Sequence, residues 1–192
     1  MGHGGGNGIT GYDFRGRNDD GDETGATWIA GVNENWEQRP DRNFRVRLSI
    51  ARSVFTLFSM FWWLYYRKNK SGDWAQVTTS SNVVRSVPTI HYDEADDCTQ
   101  QLPTTPDENF IVDNNGMIEN ANTGSVLVEW TGLPAGTESE FCIQIVGEDV
   151  NAGDEIELRG QNGSAAWGGG YFFIPNITVD KPATIRRMII IQ

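Results

Sequence analysis

Residues 43–51 alternate along the chain. Phe44, Val46, Leu48 and Ile50 are apolar, while Asn43, Arg45, Arg47 and Ser49 are polar. A period of two predicts a β-strand with the apolar set in a core and the polar set in water. Similar short segments recur at 12–17, 27–32, 74–79, 82–87, 125–130, 140–146, 154–159 and 171–179. Gly, Asn, Asp and Pro separate them, as turns require. Residues 33–42 and 133–136 are expected as connections. In the segment 68–73, Gly72 is the residue expected to take a positive φ. Pro175 predicts an edge or a bulge in the last core strand. Residues 91–124 are the least regular part, and ordered loops of that length often carry interactions. No segment shows a helical period.

Two segments break the alternation. In 61–66, Phe61, Trp63 and Tyr65 would face one way, and Trp62, Leu64 and Tyr66 the other. Met188, Ile189, Ile190 and Ile191 are likewise apolar on both faces. Such a segment is expected to pair inside its own domain or to dock on a neighbour.

These patterns predict an all-β chain: an antiparallel β-sandwich, jelly-roll or Ig-like, with extended N- and C-terminal arms. The expected organisation is a glycine-rich arm at 1–11, a sandwich at 12–180 and an apolar arm at 181–192. The length is enough to bury a core without disulfide staples.

Charge narrows the partners. Fifteen Lys and Arg against 26 Asp and Glu give a net charge of −11, opposite to the basic footprint of a nucleic-acid binder. Two cysteines, Cys98 and Cys142, make no disulfide framework, and free thiols are expected. Residues 1–8 lack the charged start and apolar core of a signal peptide, which predicts use without secretion by that route. The apolar run 54–66 is shorter than the roughly 20 residues of a membrane helix. No membrane partner is expected.

Candidate chemistry is sparse. His3 lies among glycines and His91 beside Tyr92 and Asp93, neither near a nucleophile motif. Carboxylates that could act as catalytic pairs are abundant: Asp19, Asp20, Asp22, Glu23, Asp96, Asp97, Glu155 and Glu157. Abundance makes chance pairing the simpler reading, and Glu155 and Glu157 read as a solvated strand face. Residues 18–23 resemble an oxygen-rich calcium loop in composition, but the following Glu of an EF-hand is missing, and an Asx-rich turn is the expectation. No catalytic residue, metal or cofactor is assigned. The aromatic segment 61–66 has three readings: a covered central strand, a subunit interface, or a carbohydrate platform. The last needs polar side chains to orient a sugar, and the segment itself holds none.

Three stretches together carry a resemblance: residues 14–28; residues 44–48 with 66–69 and 74–85; and residues 140–145 with 149–159. Their order resembles β-sandwich modules of tailed-phage virion proteins and of some bacterial surface-type proteins, over about residues 12–180. The resemblance implies a structural protein, not an enzyme. It implies a capsid decoration (cement) protein on the outer head surface of the virion, assembled in the host cytoplasm. Its partners would be the major capsid protein or other virion subunits, with a homo-oligomer expected. The alternatives are a tail or fibre component that binds a host surface, and a carbohydrate-binding module. The run 53–63 is more apolar than usual in such modules, and residues 181–192 extend past their usual end. Subunit contacts are therefore expected at Phe61, Trp62, Trp63, Tyr65, Tyr66, Met188, Ile189, Ile190 and Ile191.

Overall fold

The computed structural model describes residues 9–52, 59–103, 110, 116–121, 125–129, 135–161 and 175–180. The strands there are β1 (Ile9–Asn18), β2 (Trp36–Gln38), β3 (Asn43–Arg52), β4 (Ser59–Lys68), β5 (Ser71–Gln76), β6 (Val84–Ser86), β7 (Met117–Ile118), β8 (Ser125–Glu129), β9 (Ala135–Ile145), β10 (Glu155–Gln161) and β11 (Asn176–Val179). They form two sheets. Sheet A runs β1-β3-β9-β6, with β7 also on β9; sheet B runs β2-β11-β10-β4-β5, with β8 also on β4. Pairing is antiparallel except for β2 with β11 and β7 with β9. The all-β sandwich expected from the alternation is what the chain forms.

One core joins the sheets. Sheet A contributes Phe44, Val46 and Leu48 from β3 and Phe141, Ile143 and Ile145 from β9. Sheet B answers with Leu64, Ile156, Leu158, Ile177 and Val179. Each such side chain stabilises the fold by roughly 1.5–3 kcal/mol on burial. Trp36, on the edge strand of sheet B, reaches across to β1. A Cβ added at Gly16 would lie 2.8 Å from its ring, so only glycine lets the indole close that side.

Several local expectations change. Residues 27–32 are not a strand. Trp28 makes one isolated bridge to Arg17, and the regular segment is β2, inside the expected loop 33–42. Residues 9–11, expected in the arm, already pair with β3. Residues 135 and 136, expected in a turn, open β9. The hairpin tip between β4 and β5 is Asn69-Lys70, with φ of 53° and 54°. Two consecutive positive φ values match the twist of the flanking strands. Gly72 does have positive φ, at 74°, but inside β5. Pro175 does not mark an edge strand. Pro175 precedes β11, an interior strand between β2 and β10, and its carbonyl accepts the Leu158 N–H.

The largest correction concerns β3 itself. Most of its polar set is not in water. Arg45 and Arg47 are fully buried, and Ser49 nearly so. Both faces of sheet A are covered: one by sheet B, the other by two loops of this same chain.

Candidate functional site

The outer face of sheet A carries charge. The register places Arg17 opposite Arg45, Arg47 opposite Glu140, and Ser49 opposite Glu138. Glu140 lies at the centre. Its carboxylate accepts from Arg17 and Arg45, each at 3.3 Å, and from Arg47 at 2.8 Å. Glu138 accepts from Arg47 and from the backbone N–H groups of Gln101 and Leu102. The loop after β1 adds Asp19, 2.7 Å from Arg45, and Glu23, 2.7 Å from Arg47. Arg47 also donates to the Thr99 carbonyl. Glu23 in turn accepts from the Thr99 N–H and hydroxyl. Three guanidinium groups thus face four carboxylates, close to balance.

Burial alone would lower the pKa of Arg47. The nearby carboxylates of Glu140, Glu138 and Glu23 outweigh it and hold the value above the ordinary one. Burial likewise opposes the charge on Arg45, whose pKa is raised by its bond to Asp19 and the nearness of Glu140. These groups engage one another. They pin residues 18–28 and 89–102 onto the sheet and present nothing to a substrate.

The same cover buries both cysteines, which are free, in a cluster with Tyr92 and Met117. Burial raises both thiol pKa values, so neither is a thiolate nucleophile at neutral pH. The acidic loop is an Asx-type turn, as expected. Asp22 accepts the N–H groups of Thr24 and Gly25, and Asp20 accepts the Thr27 N–H and hydroxyl. No group of His, Cys, Asp and Glu among the described residues is arranged to hold a metal ion. Nor is any helix among them long and apolar enough to cross a membrane.

The outer face of sheet B differs. Leu64 is buried in the core and Tyr66 packs against it, so Trp63, Tyr65 and Arg67 point outward. On β10, Ile156 and Leu158 are core residues, which turns Glu157, Arg159 and Gln161 to the same outer face. The register sets Glu157 beside Arg67, Arg159 beside Tyr65, and Gln161 beside Trp63. Trp74 joins from β5, with the Arg67 and Arg159 guanidinium carbons 4.7 and 4.1 Å from its ring centroid. Arg67 and Glu157 form a 2.6 Å ion pair, and Arg159 donates to Gln161 at 2.6 Å. Trp63, Tyr65 and Trp74 are half-buried. Glu157, read as solvated, is therefore mostly covered and paired, while Glu155 pairs with Lys70 nearer solvent.

The expected contact residues are thus divided. Trp63 and Tyr65 share the outer face, whereas Tyr66 serves the core. Phe61 and Trp62 belong to β4 by backbone. Met188 to Ile191 lie outside the described residues. A polar cleft of about 550 Å³ at one end of the sandwich is lined by Asp19, Asp20, Glu37, Arg39, Arg42 and Asp180, among others. Arg39 is there paired with Asp180 at 3.2 Å.

The buried charges had a signal in the sequence. Arg45 and Arg47 are spaced by two on one strand, as are Glu138 and Glu140 on another. Two strands with complementary charges at period two pair across a sheet. Reading each strand alone, with polar taken to mean solvated, misses it. Comparison of the chain with protein-family models, with curated proteins and with solved structures finds no match.

Proposed function

We propose that this protein is a structural subunit of a tailed-phage virion, a decoration protein that binds the outer head surface and stabilises the shell. The observation that supports it is how the sandwich uses its charged residues. Arg17, Arg45, Arg47, Glu138 and Glu140 are fixed to one another beneath a loop cover. That arrangement builds a rigid scaffold in which these charges serve one another beneath the loops. A net charge of −11 suits an outer face better than a DNA-filled interior.

Attachment is assigned to the apolar segment 184–192, by burial against shell subunits or by strand addition. Binding to the assembled shell alone stabilises it by mass action. Deleting residues 184–192 should weaken association with particles and leave a soluble, folded chain. A truncated chain that fails to fold would place that segment in its own core and remove the assignment.

A further inference from the structure

We infer that residues 18–28 and 89–102 form a strap that opens from sheet A as one unit while the sandwich beneath stays folded, bringing Cys98, Cys142 and the charged outer face into solvent. The geometry separates what the strap holds from what the sheet holds. Arg17, Arg45 and Arg47 pair with Glu138 and Glu140, and all five stand on β1, β3 and β9. Those pairs persist without the loops. The strap adds Asp19 to Arg45 and Glu23 to Arg47. Opening returns both carboxylates to water and leaves both arginines with their partners on the sheet. Desolvation offsets much of what a buried pair gains, so releasing such a pair whole costs far less than deleting one member.

The apolar contacts divide in the same way. Among the described residues, the core between the sheets includes none from 18–28 or 89–102. Tyr92 and Cys98 of the strap pack instead with Met117 and Cys142, in a small cluster apart from that core. A segment with few buried apolar contacts opens at lower free energy than the whole fold. Ala95 adds to this: its φ of 72° disfavours an L side chain, and opening releases it.

Two residues couple the loops. Asp19, in the first loop, holds Arg45 of the sheet and accepts the Thr89 hydroxyl of the second loop at 2.8 Å. Glu23 holds Arg47 and accepts the Thr99 N–H and hydroxyl at 3.1 and 2.9 Å. The Glu23 carbonyl also accepts from Arg17 and from the Gln101 side chain. Each loop is thus tied to the other as well as to the sheet, and Glu23 is the latch. The strap lies on sheet A and is independent of attachment through residues 184–192.

The test is native-state amide hydrogen exchange of the full chain, followed by NMR. The N–H groups of Gln101 and Leu102, which bond across to Glu138, report the strap; that of Val46, in the middle of β3, reports the sandwich. Gln101 and Leu102 should exchange at least about tenfold faster than Val46. Glu23→Gln should speed them about tenfold further and make both thiols reactive toward a disulfide reagent in native buffer. Ile156→Val, in the core between the sheets, should speed exchange at Val46 and leave Gln101 and Leu102 unchanged, because the open strap keeps that core. Equal protection of strap and sandwich in the unaltered chain would overturn the inference. So would acceleration of all three amides alike by Ile156→Val, or no effect of Glu23→Gln on the strap.

Discussion

Glu140 receives three guanidinium groups and is fully buried. Removing one partner of a buried pair leaves an uncompensated charge and costs about 3–5 kcal/mol. Glu140→Gln should therefore lower stability by that order, measured by urea unfolding. A change below about 1 kcal/mol would mean that the arginines find solvent when the carboxylate is lost. Gly16 makes a steric prediction at the same scale. With a Cβ 2.8 Å from Trp36, Gly16→Ala should cost about 1–3 kcal/mol through overpacking. The thiols make a chemical one. Cys98 and Cys142 should resist a disulfide reagent in the native protein and both react in denaturant, because burial holds them protonated and inaccessible.

At the scale of elements, the hairpin between β4 and β5 is sharply specified. Asn69 and Lys70 both have positive φ, a conformation that asparagine tolerates and lysine does not favour. Lys70→Gly should raise the urea midpoint, even with loss of the exposed bridge to Glu155. A lowered midpoint would assign the turn's stability to that bridge. Most strands were legible because one face of each is apolar, as Phe44, Val46 and Leu48 show. What was not legible came from tertiary cover. The alternation of β3 identifies a strand but not what lies beyond its polar face, and here that is a pair of loops carrying Asp19, Glu23 and Thr99. Residues 27–32 have strand-like composition yet serve mainly to place Trp28 against Arg15 and Arg17. The aromatic and charged face of sheet B was half legible. The rings of 61–66 stand out in the sequence. Their polar neighbours come from β10, about ninety residues away, and only the register brings them together.

At the scale of the whole molecule, the chain is a sandwich closed on sheet A by its own loops and bearing a mixed aromatic and charged face on sheet B. Its response to acid follows from surface carboxylates. Hydrogen bonds from Thr27 hold the pKa of Asp20 below the ordinary value, bonds from Gly25 and Thr24 do so for Asp22, and bonds from Asn69 and Asn151 for Asp154. A folded-state pKa below the unfolded one, about 3.9, gives stability that is present above that pH. It is lost as pH falls through the folded values. Stability should hold from neutrality to about pH 5 and decline below about pH 4, as thermal unfolding across that range would show. The proposed role is tested most directly by measuring this protein in purified virions, by quantitative mass spectrometry with antibody labelling of intact heads. The account predicts a copy number comparable with the shell subunit and labelling over the outer head surface; absence from purified particles, or labelling confined to the tail, would contradict it.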